Sequence, residues 1–175
     1  MSDLDGNNDY AVLVYYNSVD NVVAYNKYYR SYMPEYLGPE TALLSMPTIE
    51  QWKNITLSNT VRDIKDELGN AVVSNFDYDG YAARLLTTQE IEKACNISVG
   101  TETTGELDNC NYLMENTYYS GSSTGYWLES YKSNDMGYAW VIDGGARKVE
   151  SYLIMMADDY GVRPAIEVRK SNILY

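Results

Sequence analysis

Histidine is absent from the 175 residues. Its absence excludes the Ser-His-Asp triad, the Cys-His dyad and any His-ligated zinc or haem site. Paired carboxylates occur, as Asp158-Asp159 and as Asp77 with Asp79, but adjacency in an acidic chain assigns no role, and they read as solvated faces. No catalytic residue, metal site or cofactor is therefore expected. Cations are scarce as well: 13 Lys and Arg face 25 Asp and Glu, giving a net charge of −12 and a pI near 4.3. Such a chain is repelled by nucleic acid and by anionic bilayers, which leaves a basic target as a compatible charge partner. No stretch approaches the ~20 apolar residues of a membrane span, and no charged-then-apolar leader opens the chain, so no direct membrane contact is expected.

Cysteine is limited to Cys95 and Cys110. An even pair closing a short polar loop reads as a disulfide in an exported protein, worth about 3 kcal/mol on a chain-entropy account. Two buried thiols in a reducing compartment are the other reading. Phenylalanine occurs once against 19 tyrosines, a usage that favours β-structure and adaptable, amphipathic contact surfaces.

The length fits one domain over residues 1–175 with a single sizeable core. Residues 1–9, with Asp3, Asp5, Asn7 and Asp9, read as a solvated tail. A calcium loop is the alternative, without EF-hand spacing. The run from Tyr10 to Tyr16 predicts a central strand paired with Val22 to Tyr25, and Lys27 to Pro39 predicts irregular chain. Thr48 ahead of Ile49 and Trp52, and Thr87 ahead of Glu90 and Ile91, predict two capped helices. Gly69-Asn70 and Asp79-Gly80 predict turns, and residues 100–106 and 116–125 predict surface loops. Residues 125–168 predict an antiparallel β meander, with Gly144-Gly145 as a hairpin turn requiring positive φ. The fold class expected is α+β, with two short helices and that meander.

Within the meander, Trp127 and Trp140 are expected in the core, each donating its indole N–H to a backbone carbonyl. Arg163 precedes Pro164, which favours an extended backbone and a guanidinium aimed at a carboxylate or carbonyl cluster. The run from Tyr152 to Met156 is apolar at every position. Either it is a strand buried on both faces, or some of it is exposed beside Tyr131, Met136 and Tyr138 as an interaction patch.

Four motifs then occur in order: Ala83-Arg84-Leu85-Leu86-Thr87 with Glu90-Ile91; Gly125-Tyr126-Trp127 with Ser130; Ala139-Trp140; and Tyr160 to Val168 with Gly161-Val162-Arg163-Pro164. From Leu43 onward the chain resembles the C-type lectin-like fold, most closely the C-terminal heads of bacterial pilin-like surface proteins. The resemblance implies paired N- and C-terminal strands, a surface or extracellular location, and a head belonging to a longer protein with an apolar N-terminal helix. It also implies that Asn54-Ile55-Thr56 and Asn96-Ile97-Ser98 carry no glycan. Arg84-Leu85-Leu86-Thr87 is similar to a segment of the formylglycine-generating enzymes, but Cys95 and Cys110 do not match their late reactive pair, so no oxidase activity carries over. The sugar-binding motifs of calcium-dependent lectins do not occur. A second resemblance, to retroelement-diversified variable proteins, implies a binding face of interchangeable positions: Lys132, Asn134, Asp135, Met136, Asp143, Lys148, Glu150, Tyr152, Ile154, Met156 and Asp158, beside Tyr131 and Tyr138. The expected function is a non-enzymatic head that meets a protein or other surface ligand through this face. The alternative is a structural head of a pilin-like assembly.

Overall fold

The computed structural model describes residues 9–19, 22–30, 37–53, 55–100, 110–115, 125–157 and 159–173. The acidic segment before Asp9, most of the two expected surface loops, Asn54 and Asp158 lie outside the described residues.

Strand β1 (Tyr10–Val14) pairs antiparallel with β8 (Ala165–Arg169), Tyr10 opposite Arg169 and Val14 opposite Ala165. The first and last described strands thus pair with one another. β1 was expected to be central and to pair with Val22 to Tyr25; among the described residues it pairs with β8 alone. Its continuous apolar run is explained by side-chain packing: Ala11 and Val12 are buried, and Val12 joins the core around Leu86 and Trp140. The segment after β1 lies along the chain that precedes β8. Tyr15, Val19, Val23 and Asn26 donate backbone N–H groups to the carbonyls of Pro164, Val162, Tyr160 and Ile154 at 2.8–2.9 Å.

A four-residue helix, α1 (Glu40–Leu43), follows Pro39, just beyond the stretch expected to be irregular. The helix expected after Thr48 is a single turn. The Gln51 N–H bonds the Thr48 hydroxyl at 3.3 Å and the Gln51 side chain returns a bond to the Thr48 N–H at 2.9 Å, but no further turn follows. Strands β2 (Val61–Lys65) and β3 (Ala71–Asp77) form a hairpin through the Gly69-Asn70 turn, where Gly69 has φ +87°.

Helix α2 (Thr88–Cys95) begins as its sequence requires. Thr87 accepts the Glu90 N–H at 3.2 Å, the Glu90 carboxylate accepts the Thr87 N–H at 2.8 Å, and Ile91 and Cys95, four apart, are buried on one face. Cys95 is bonded to Cys110 across a Cα separation of 5.3 Å, within the ~7 Å that a disulfide tolerates. Cys110 opens a short helix, α3 (Asn111–Met114).

The meander is present: β4 (Gly125–Lys132), β5 (Asp135–Asp143) and β6 (Lys148–Leu153) are antiparallel neighbours. The short strand β7 (Tyr160–Gly161) adds parallel to β4, giving the order β6-β5-β4-β7. The architecture is α+β. Close strand approach explains Gly125: a Cβ there would stand 1.8 Å from the Ile142 carbonyl oxygen. In the β5–β6 turn it is Arg147, with φ +53°, that adopts the left-handed conformation expected of Gly144-Gly145.

The sheet divides the core in two. On one side Tyr126, Leu128, Trp140 and Ile142 meet α2, the disulfide and α3. On the other, Trp127, Tyr131, Ala139 and Val141 meet Tyr25, Leu43, Met46, Ile64 and Tyr78. β4 carries a bulge between these faces: Trp127 is opposite Val141, yet Tyr131, four residues on, is opposite Ala139, only two back.

The disulfide joins the end of α2 to the start of α3, within the core cluster that holds Trp140. Reduction should therefore lower the melting temperature by roughly 6 to 12 °C, the shift that about 3 kcal/mol produces in a domain of this size. The native protein should take up no alkyl group without prior reduction. Uptake of two, measured by intact mass, would show that the thiols are free.

Candidate functional site

The residues expected to form one binding face are separated by the pleat of the sheet. β5 and β6 pair without a break from Tyr138 opposite Leu153 to Asp143 opposite Lys148, so alternate positions face opposite ways. Met136 and Tyr138 share a side with Leu153 and Ser151. Asp143, Lys148, Glu150 and Tyr152 lie on the other side.

That second side is internally bonded. Lys148 Nζ is 2.6 Å from Glu150 Oε2, and the Tyr160 hydroxyl donates to Glu150 Oε1 at 2.8 Å. The Tyr152 hydroxyl donates to Asp159 Oδ2 at 2.8 Å. Trp127, Tyr152 and Tyr160 pack edge to face or tilted, with centroids 4.8–6.1 Å apart. Burial, followed by the Glu150 carboxylate, raises the Tyr160 phenol well above its ordinary value, so its proton stays on. Asp143 is a turn residue that accepts the Ala146 N–H at 2.8 Å. These groups brace the sheet.

Two expected face residues belong to the core instead. Tyr131 and Ile154 are fully buried. The bulge turns Tyr131 onto the Ala139 side, where its hydroxyl accepts the Gly38 N–H at 2.8 Å. Ile154 is anchored on both sides of its peptide, donating to the Gly137 carbonyl at 3.0 Å and accepting from Asn26 at 2.9 Å. The run Tyr152 to Met156 is thus neither a doubly buried strand nor a fully exposed one: β6 ends at Leu153, Ile154 points inward and the chain turns.

The residues left at the surface cluster where β4 turns into β5. Asn134 takes the left-handed conformation, φ +63°, that makes this turn. Asn134 and Asp135 are exposed, and Asp135 Oδ1 accepts the Gly137 N–H at 3.0 Å. Beside them Met136, Leu153, Met155 and Met156 are 39–46% exposed. Lys132 lies 5.6 Å over the Tyr138 ring, which stands opposite Leu153. The segment 26–30 reaches the same end of the sheet from the other side of the pleat: the Tyr29 ring lies against Gly137, and Arg30 Nη1, which donates to the Tyr29 carbonyl at 2.8 Å, is 3.9 Å from Met155 Sδ. Leu153, Met155 and Arg30 were not among the expected face residues. Only the unbroken apolar run pointed to the first two, and nothing local pointed to Arg30.

The scaffold residues are placed as expected, with one change. Trp127 donates its indole N–H to the Val23 carbonyl at 2.7 Å. Trp140 donates to a carboxylate, Glu67 Oε2, at 3.1 Å, where a backbone carbonyl was expected. Glu67 also accepts the Ser133 N–H at 2.8 Å, fastening the β2–β3 hairpin to the sheet. Arg163 is buried and donates to the carbonyls of Tyr15, Leu113 and Tyr112 at 2.8–2.9 Å and of Tyr16 and Glu115 at 3.2–3.4 Å. Its guanidinium lies 5.3 Å over the Tyr126 ring, whose phenol burial pushes up to about 12.

A buried ionic cluster was not foreseen. Arg84 donates Nη1 and Nη2 to Glu90 at 2.9 and 2.6 Å and Nε to Glu167 at 2.8 Å. Glu167 also accepts the Ser58 N–H at 2.9 Å and its hydroxyl. The β4 bulge brings in Glu129, whose carboxylate takes the Tyr78 hydroxyl at 2.7 Å and lies 3.5 Å from Arg62 Nε. The cluster floors a polar cleft of about 690 Å³, open between the β2–β3 hairpin and the start of α2. Burial raises all three carboxyls. In Glu90 and Glu167 the Arg84 guanidinium, joined by hydrogen bonds from Thr87 and Ser58 respectively, outweighs it and the net shift is downward. In Glu129 burial outweighs Arg62 and Arg84, and the net shift is upward.

The chain matches no family model, no curated protein and no solved structure. Its site is therefore read from its own geometry. Among the described residues no group of three or more potential ligands could hold a metal ion, and no helix is long and apolar enough to cross a membrane.

Removing Arg84 leaves Glu90 and Glu167 buried without their cation, so Arg84→Met should cost about 3–5 kcal/mol. Glu90 and Glu167 are held below the ordinary glutamate value of 4.5, so their contribution is full above that pH and is lost as pH falls through their lowered values. Glu129 works in the opposite sense, its protonation relieving a buried charge. Urea unfolding from about pH 7 to about pH 3 should show the gap between parent and Arg84→Met narrowing as acid is added. A gap independent of pH would show that Arg84 acts through packing alone.

Proposed function

We propose that this chain is the ligand-binding head of an extracellular or surface protein, built on a C-type lectin-like plan and free of catalytic chemistry. It meets its ligand at the β4–β5 turn end of the sheet. The observation that carries the reading is the exposure of Met136, Leu153, Met155 and Met156 together at one end of a rigid sheet. Soluble domains seldom leave such a group uncovered unless something binds it, and methionine suits a surface that must adapt. The paired terminal strands, the meander and the Cys95–Cys110 bond are compatible with the lectin-like plan and with an oxidising compartment.

On this reading the interchangeable positions are fewer than the residues from 131 to 159. Lys132, Asn134, Asp135, Met136, Tyr138 and Met156, joined by Leu153 and Met155, can change without breaking a core contact. Asp143, Lys148, Glu150 and Tyr152 are bonded within the scaffold.

Light scattering across a wide concentration range should find a monomer, with Met136→Ser and Met155→Ser leaving both mass and melting temperature unchanged. Concentration-dependent association in the parent, abolished by these substitutions, would instead make the face a subunit contact of a structural head. Deep sequencing of the gene in one population should place any variation at the exposed positions. Variation spread evenly over the chain would remove the retroelement reading.

A further inference from the structure

We infer that the ligand at this face is a short segment with an aromatic or aliphatic anchor flanked by one or two carboxylates, and that an acidic ligand is therefore preferred by a strongly acidic protein. This rests on the reading of the face as a binding surface and adds the chemistry of its occupant.

The net charge of −12 by itself points to a basic ligand. The local arrangement reverses that sign. Arg30 and Lys132 both lie at the β4–β5 turn end of the sheet, Arg30 against Met155 and Lys132 over Tyr138. Among the described residues, no carboxylate lies within ion-pair distance, 4.0 Å, of either. Lys27 adds a third cation on the segment that carries Arg30. Asp135, an exposed carboxylate at this end and the cross-strand partner of Lys132, accepts the Gly137 N–H and keeps its charge, so the described cations here outnumber it. Of the other basic side chains, Arg62 and Arg84 belong to the buried cluster and Lys148 pairs with Glu150.

A carboxylate placed at the edge of the methionine surface meets these cations where a bound anchor has already excluded water, and there the pairing is strongest. The methionines set the anchor: thioethers pack against flat rings and conform to aliphatic chains alike. The bulk charge sets the length. Beyond about a Debye length, ~8–10 Å, the −12 chain repels further anions only weakly in salt, but a long acidic run would lie over its acidic surface. One or two carboxylates beside an apolar anchor satisfy both constraints.

The test uses two fluorescein-labelled peptides of about 12 residues. They share the same Phe and Leu positions and carry either Asp and Glu or Lys between them. Fluorescence anisotropy should show the acidic peptide binding at least about tenfold more tightly to the parent chain, with the preference reversed in Arg30→Glu/Lys132→Glu. Met136→Ser/Met155→Ser should weaken both peptides, and unchanged melting temperatures confirm that each variant is folded. Preference for the basic peptide, or an acidic preference that survives the charge reversal, overturns the ligand class. If the methionine variant still weakens binding in that case, the face itself stands as a binding surface. Failure of both peptides to bind a monomeric parent overturns the inference, whereas self-association through Met136 and Met155 overturns the reading of the face on which it rests.

Discussion

One guanidinium fixes how the elements of this protein sit together. Arg84 exchanges backbone hydrogen bonds with Ala165 at 3.0 and 2.8 Å, while its side chain bonds Glu167 in β8 and Glu90 at the start of α2. Glu90 in the same position closes the capping box of α2, so the cation sets both the helix start and the strand beside it. α2 ends at the disulfide, and β8 holds β1. A displacement of Arg84 would be felt at both termini and at α3. Burying such a charge is costly unless its donors are filled, and Nε, Nη1 and Nη2 all are.

The second buried arginine solves the same problem with different acceptors. Arg163 spends its donors on backbone carbonyls from two segments, Tyr15-Tyr16 after β1 and Tyr112 to Glu115 at the end of α3. The last carbonyls of a helix have no intrahelical partner, and Arg163 takes up those of Tyr112, Leu113 and Glu115. Arg84 therefore joins its neighbours through carboxylates, and Arg163 joins the chain after β1 to α3 through backbone carbonyls. The β2–β3 hairpin is attached through a third device, the Glu67 carboxylate, which accepts from Ser133 and from the Trp140 indole.

What the sequence discloses here is what depends on near neighbours. The α2 cap needs Thr87 and Glu90 three apart, the β2–β3 turn needs Gly69, and the disulfide needs two cysteines around a polar loop; all three are readable. The extended backbone before Pro164 also gave the role of Arg163 correctly. What failed depends on residues far apart. A continuous apolar run cannot say whether β1 is central or at an edge, because packing on both faces and pairing on both sides leave the same composition. The Thr48 turn carries a sound cap, but its next residues pack as a turn against Gly80. The bulge in β4 has no sequence mark, and without it the inward turn of Tyr131 and Glu129 cannot be assigned. The ionic cluster joins residues 62, 84 with 90, 129 and 167 from four separate segments, and only the 84–90 pair is near in sequence.

The same bulge and pleat explain why the exposed face is confined to the end of the sheet. The two core clusters grip the sheet where Trp127, Trp140, Val141 and Ile142 lie, and their covering elements do not extend over Met136 and Leu153. Behind that uncovered end, Ile154 is held through both of its peptide hydrogen bonds and Tyr131 through its hydroxyl. The face thus combines a backbone fixed by buried contacts with side chains that have three rotatable bonds and few obligations. Substitution of Met136 or Met156 changes the shape offered to solvent without passing strain into the core, whereas substitution of Glu150 or Tyr152 breaks a contact that braces the sheet. Positions of the first kind tolerate a change of residue and those of the second do not, and Met136, Leu153, Met155 and Met156 near the β4–β5 turn are of the first kind.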